Sequence, residues 1–330
     1  MKLGFIGFGA QARENLIPAC NTIYGIEIAG ICDSDPAKCI EAAALFNFDE
    51  SKIFHNHCDL MDKCRPDALI VSCYPTAHFR IACDAIERGI PVMLEKPIAS
   101  SYEAVSHLAE MAKRRGVVTA SGMNFRFAEI TERITKIYKD GIQMISLRQM
   151  ANKPVAPLWD YDDLLRSFLH AQTIHGLDLL IHLCGPVKKL SVANNSSGNS
   201  IVFSVLLEFA NQCHGTLITS NTSPHFTFDL DVLADNSLHI KSTSLNSISV
   251  ADLGKTYLQG ETKRWCDTWA ASPLSSGYTR AGYTGEIIDF ITAVQSGERD
   301  SQTAFSTLLE TYRCMDLIEQ SCKQNVPVKI

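Results

Sequence analysis

The chain opens on a strand that runs straight into a glycine turn. Lys2-Leu-Gly-Phe-Ile6 is largely apolar, and Gly7-Phe8-Gly9-Ala10-Gln11-Ala12 follows without a break. Few short segments restrict local geometry more. Gly7 permits the tight passage from strand to helix. Gly9 lacks the Cβ that would hold a pyrophosphate away from the backbone, and Ala12, in the third small position, lets the helix pack closely on the strand. The N–H groups that open such a helix lack intrahelical acceptors and face any anion lying over the turn. A second apolar run, 26–32, ends in Asp33, where this arrangement places the acid that accepts hydrogen bonds from an adenosine ribose. Together these features predict an N-terminal dinucleotide-binding βαβ unit.

The chain has 330 residues, of which 46% are hydrophobic and 20% charged, enough for a large core in two domains. Its net charge is −6 and it has no basic block, which argues against a nucleic-acid partner. No apolar run reaches membrane-spanning length, and the glycine-broken N-terminal run reads as the first strand rather than a signal peptide. The twelve cysteines are scattered with no C-x-x-C pair. Cys32, Cys73, Cys83 and Cys184 read as reduced core thiols, so the expected location is cytoplasmic. His55 and His57 form an H-x-H that reads as part of a surface loop; no metal site is expected, metal binding being the minor alternative.

Residues 1–121 alternate strand and helix, with strands at 3–6, 26–32, 68–72, 92–94 and 117–120. Such alternation implies a parallel sheet covered by helices on both faces, with the C-terminal ends of the strands lining one crevice. Residues 122–330 follow another pattern. A helix over 168–184, closed by Gly185-Pro186, precedes consecutive strands at 189–193, 201–209, 215–220, 227–234, 238–241 and 247–250. Residues 254–281 read as an irregular loop, 286–296 and 303–323 as helices, and 326–329 as a short strand. The expected fold class is therefore α/β: a Rossmann domain over 1–121, then an α/β domain over 122–330 with a large, mostly antiparallel open sheet.

Three segments end at the predicted crevice: Ser72-Cys-Tyr74-Pro75, Glu95-Lys96-Pro97 and Ser121-Gly-Met-Asn124. A lysine there can donate to a carbonyl or hydroxyl oxygen, which suits proton transfer coupled to hydride movement. Without the glycine turn, the same Glu-Lys-Pro reads as an ion pair ahead of a helix-starting proline. With these residues in view, the chain resembles the glucose–fructose oxidoreductase and inositol dehydrogenase (Gfo/Idh/MocA) family over essentially its whole length. The ordered set carries the resemblance: Gly7-Phe-Gly-Ala-Gln-Ala12, Asp33, Tyr74-Pro-Thr-Ala-His78, Glu95-Lys-Pro97, Asn124-Phe-Arg-Phe127, and His175-Gly-Leu-Asp178 followed by Gly185.

The resemblance implies NAD(P)-dependent redox chemistry on sugars, cyclitols or related polyols, and a C-terminal sheet that forms homodimers or homotetramers. It implies Lys96 and His175 as the catalytic pair, with Asp178, Tyr283 and Arg126 at the substrate. Cofactor contacts are expected from Gly7, Phe8, Gly9, Ala10, Gln11, Ala12 and Asp33. Others are expected from Ser72, Tyr74, Pro75, His78, Glu95, Lys96 and Asn124. Asp33 favours NAD, because a 2′-phosphate would meet a like charge; Lys38 and Arg13 nearby leave NADP open. Read as residues alone, His78 is equally a structural histidine at a helix N-terminus. One departure stands out: many family dehydrogenases carry an Asp four residues before the histidine, and here that position is Ala171. The imidazole then needs another orienting partner, or Lys96 acts alone. That leaves two alternatives open, reduction of a C=N bond and a cofactor-binding sensor without turnover.

Overall fold

The structure, a computed structural model, describes residues 1–138, 141–235, 238–256, 264–272, 274, 277–297 and 300–324. They form two compact units, Met1–Asn124 with Gly282–Leu309, and Phe125–Ala281 with the segment from Glu310.

The first unit holds six parallel strands: β1 (Lys2–Ile6), β2 (Glu27–Cys32), β3 (Ile53–Phe54), β4 (Ala68–Val71), β5 (Val92–Leu94) and β6 (Thr119–Ser121). Their order is β3-β2-β1-β4-β5-β6. The order reverses between β1 and β4, which opens a crevice at the C-terminal strand ends. Every residue of β4 and β5 is buried, as strands covered on both faces must be. After the glycine turn, a π turn (Ala12–Leu16) runs into α1 (Ile17–Cys20). The other helices here are α2 (Pro36–Phe46), α3 (His57–Cys64), α4 (Pro75–Glu87) and α5 (Tyr102–Arg115). Asp35, Asn56 and Ser101 cap α2, α3 and α5 by accepting from backbone N–H groups.

The region between α2 and β4 departs from the sequence reading. His57 is not on a surface loop. It begins α3, is 7% exposed, and its Nε2 lies 2.7 Å from Asp84 Oδ2. The Asn56 cap is what turns this stretch into a helix and carries His57 inward.

The second unit contains α6 (Glu129–Ile137), α7 (Leu164–Phe168), α8 (Ile174–Cys184), α9 (Gly277–Arg280) and one large sheet. The strands are β7 (Ile142–Met150), β8 (Val187–Asn194), β9 (Val202–Phe209), β10 (His214–Ser220), β11 (Thr227–Ala234), β12 (Leu238–Thr243), β13 (Ser247–Thr256) and β14 (Arg264–Ala270). Their order is β14-β13-β12-β11-β7-β10-β9-β8, antiparallel at every step except β7 beside β10. The mostly antiparallel sheet of the sequence reading is thus present. Part of the expected 254–281 loop is instead the edge strand β14. Of its side chains at 266–270 only Trp269 is even half-buried, so no apolar alternation marks it. The expected strand at 326–329 lies outside the described residues.

One face of the sheet packs on α8. Gly176 makes the fit possible: a Cβ there would stand 2.3 Å from Gln149 Oε1 and 2.9 Å from Leu147. The helix expected over 168–184 is interrupted by a π turn, Leu169–Thr173. Gln149 Nε2 donates to Gln172 O (2.6 Å), and Gly176 N donates to Gln149 Oε1 (3.0 Å). A single strand side chain therefore satisfies the backbone where the helix changes pitch.

The chain then returns to the first unit through α10 (Tyr283–Ser296) and a 3-10 turn (Phe305–Leu308), before α11 (Leu309–Gln324) joins the second. The first unit accordingly extends to Asn124 and takes in 282–309, where the sequence reading drew one cut after residue 121. Thr303 Oγ1 accepts from Ser121 N (3.3 Å), and Phe305 N donates to Thr119 Oγ1 (3.2 Å), so this segment binds along β6.

Candidate functional site

The predicted residues divide between the units. In the first, the glycine turn has the geometry its residues demand. Gly7 has φ +92°, and a Cβ there would lie 2.2 Å from Ser72 O. Gly7 N donates to Cys32 O and Ser72 N to Ile6 O, each at 2.7 Å, which seats the turn where β1, β2 and β4 end. A Cβ on Gly9 would meet nothing within 4 Å. The turn is thus tight at Gly7 and open at Gly9, which fits the approach of a pyrophosphate. Phe8 and Ala12 are fully buried, whereas Ala10 is exposed.

Asp33 is 8% exposed. Its Oδ2 accepts from Phe8 N (2.7 Å), and its Oδ1 accepts from Asp35 N (2.9 Å). Each oxygen keeps a second lone pair for a ribose hydroxyl. Lys38 Nζ lies 3.8 Å from Asp33 Oδ2. Arg13 is occupied by Glu14 and Glu41. The residues present therefore fit a dinucleotide at this turn.

The edge of β5 brings Glu95, Lys96 and Pro97 to the same end of the sheet. Glu95 is 5% exposed and accepts from Gln11 Nε2 (2.9 Å) and from Lys96 N (3.1 Å). Gln11 Oε1 in turn accepts from Asn15 Nδ2 (2.8 Å). Burial pushes the Glu95 carboxyl up, opposed by the Lys96 charge and these hydrogen bonds. Lys96 is half-buried, Asn124 is buried, and Tyr74 is 58% exposed ahead of Pro75 at the start of α4. His78 is fully buried. Its Nε2 accepts from Cys73 N (3.3 Å) and its Nδ1 lies 2.9 Å from Pro97 O. Desolvation lowers its pKa to about 4, so it is a neutral imidazole tying α4 to the segment after β5. Of its two sequence readings, this geometry matches the structural one.

Tyr283, the first residue of α10, is tied to Gln11, and burial raises its pKa. Glu286, one turn on, drew no notice in the sequence. It is fully buried, and neither carboxylate oxygen has a hydrogen-bond partner among the described residues. Burial, then the charge of Glu95, pushes its carboxyl well above the usual range. Burial of a lone acid leaves no local pattern, because Tyr-Thr-Gly-Glu reads as an ordinary helix start.

In the second unit, His175 is half-buried on the first turn of α8, its ring centroid 4.9 Å from that of Phe125. Phe125 packs in turn on Phe228 (4.6 Å). Ala171 lies within the π turn. Neighbouring His170 is 2% exposed, with its Nδ1 2.7 Å from Tyr161 Oη. Arg126 and Asp178, both expected at the substrate, instead satisfy one another. Arg126 Nε and Nη2 donate to Asp178 Oδ2 (2.7 Å) and Oδ1 (2.5 Å), and Thr311 Oγ1 donates to Asp178 Oδ1 (3.1 Å). Both side chains are buried, a setting in which removing one partner leaves a charge uncompensated. Among the described residues, one His/Cys/Asp group, His57, Cys58 and Asp84, brings ligand-type atoms within 4.8 Å of one another. All twelve cysteines are free, and among the described residues no helix is long and apolar enough to cross a membrane.

Residues 1–123 match the family model described as an oxidoreductase family with an NAD-binding Rossmann fold. A dehydrogenase from Chromobacterium violaceum is similar along the whole chain: 30% identity, 98% of this chain and 96% of that one covered, TM-score 0.92. A levoglucosan dehydrogenase in complex with NADH shares the fold at 16% identity and TM-score 0.84, covering 100% of this chain and 99% of that one. Among curated relatives, inositol 2-dehydrogenase 2 of Saccharopolyspora erythraea is 27% identical over 116 residues, or 35% of this chain and 34% of that protein. The chain thus matches about a third of that relative's length.

Proposed function

Because this chain belongs to the oxidoreductase family with the NAD-binding Rossmann fold, we propose that it is an NAD(P)-dependent dehydrogenase of a sugar, sugar derivative or cyclitol. The observation that carries this reading is the clasp at the glycine turn. Asp33 holds Phe8 N at 2.7 Å beside an open Gly9, and Lys96 stands one residue past Glu95 at the end of β5. The inositol and levoglucosan dehydrogenases among the similar proteins support the substrate class.

A bound nicotinamide supplies the hydride acceptor or donor. Gly7, Gly9 and Ala12 give the phosphates their approach, and Asp33 accepts from the ribose and favours NAD over NADP. Lys96 takes the proton from a substrate hydroxyl at its Nζ, and returns it in the reverse direction. His175 assists that transfer. The buried Arg126–Asp178 pair positions α8, which carries His175, rather than touching substrate. The chain works in the cytoplasm as a homodimer or homotetramer. Its second-unit sheet supports this, because it exposes Met144, Leu206 and Ile218 (43%, 59% and 37%) on the face away from α8.

The test is calorimetry with NAD(H) and NADP(H), joined to a polyol oxidation screen, on wild type, Asp33→Ala and Lys96→Ala. NAD(H) should bind preferentially, and Asp33→Ala should weaken it by roughly 10–100-fold, the value of hydrogen bonds to a charged group. Lys96→Ala should retain binding and lose roughly 10²–10⁴-fold in turnover. Absence of nucleotide binding in the wild type would end this reading.

A further inference from the structure

Glu286 is the least explained polar group in the first unit. Burying a carboxyl without a hydrogen-bond partner is destabilising, and more so if it is charged, yet both of its oxygens are in that state. The groups that face it do not neutralise it. From α1 comes Cys20, a buried thiol pushed up to about 12 by desolvation and then by Glu286. From its own helix comes Tyr283, from the end of β5 comes Glu95, and Lys96 follows Glu95 in the chain. Glu95 already accepts hydrogen bonds from Gln11 and from the Lys96 amide, the pattern of an ionised carboxylate. One acid accepts hydrogen bonds as an anion does and the other is dry and unpartnered; burial, then the charge of Glu95, favours the neutral form of Glu286.

Glu95 belongs to the Glu95-Lys96-Pro97 edge at the end of β5, and the proposed function, by giving Lys96 the proton that accompanies hydride transfer, puts the nicotinamide end of the cofactor beside that edge. The oxidised ring carries a positive charge and the reduced ring carries none. We propose that the Glu95–Glu286 pair distinguishes the two oxidation states: the cationic ring favours full ionisation, so NAD+ binding releases the proton of Glu286 to solvent, and NADH binding does not. The step balances as one carboxylic acid becoming carboxylate plus a free proton, with no electron moved. It follows that affinity for NAD+, unlike that for NADH, rises with pH, by at most about tenfold per pH unit for one proton. The inference rests on the proposed function and concerns only how its cofactor is held.

The experiment is calorimetric titration of the full-length protein with NAD+ and with NADH, in buffers of different ionisation enthalpy, on wild type and Glu286→Gln. The dependence of the observed heat on buffer counts the protons released. Wild type should release a measurable fraction of a proton with NAD+ and none with NADH. Glu286→Gln, neutral and similar in size, should bind NAD+ with that release abolished. Infrared spectra of the wild type supply a readout that needs no variant: a protonated-carboxyl band at neutral pH that disappears with NAD+ and persists with NADH. Binding without proton release overturns the inference alone. So does equal release in Glu286→Gln, which would assign the proton to Lys96 or another group. Absence of heat with either nucleotide overturns the proposed function first, and the inference with it.

Discussion

His78 illustrates how a single side chain can be read correctly as chemistry and still have its role decided by burial. Fully enclosed between Cys73 N and Pro97 O, it has its pKa lowered to about 4 by desolvation, against about 6.5 in an unfolded chain. Between these values the unfolded state binds more protons, so stability is intact above about pH 6.5 and is lost as the pH falls toward 4. The whole shift corresponds to about 3 kcal/mol. Thermal melts of wild type and His78→Gln across this window should show the wild type losing stability more steeply on acidification; parallel curves would mean that His78 is not the group that titrates. Asp178 makes the same point with charge. Its carboxylate looked available in the sequence, but Arg126 and Thr311 take it up.

At the scale of elements, the seam between α8 and the second-unit sheet depends on two residues. Gly176 supplies the space and Gln149 supplies the hydrogen bonds. In Gly176→Ala the new methyl would sit 2.3 Å from Gln149 Oε1, 2.9 Å from Leu147 Cδ2 and 3.1 Å from Leu217 Cδ1. These are side-chain ends that can move, but Gln149 can do so only by releasing Gly176 N or Gln172 O. Overpacking and a lost hydrogen bond cost about 1–3 kcal/mol, while alanine's better helix propensity returns up to about 1 kcal/mol. A urea unfolding curve should therefore shift to a lower midpoint with unchanged slope. An unchanged midpoint would show that the seam has slack its geometry does not reveal.

At the scale of the molecule, the dinucleotide-binding unit is made from two distant pieces of chain. The returning segment contributes Ile287, Phe290, Ile291, Phe305 and Leu308, all buried. At about 1.5–3 kcal/mol each, their burial is worth on the order of 10 kcal/mol, comparable with the whole stability of an ordinary domain. A chain ending at Asn124 should thus lack a cooperative urea transition by circular dichroism, although it contains all six strands. A cooperative transition matching the full chain would mean that residues 1–124 suffice.

What could be known from the sequence is what local rules dictate. The glycine turn, the acid after β2, the alternation of strand and helix and the later run of strands all follow from small residues, periodicity and turn chemistry within a few positions. Those rules missed β3, α3 and β14, because a two-residue strand, a helix set by its Asn56 cap and an edge strand without apolar alternation carry weak patterns. The rest was decided only by tertiary structure. Whether Asp178 meets a ligand or Arg126, whether His57 faces solvent or Asp84, and whether Glu286 is an exposed helix residue or a buried acid near Glu95 depend on partners 52, 27 and 191 positions away. Side-chain burial and pairing over such separations arise when distant segments pack together, and no short-range pattern encodes them.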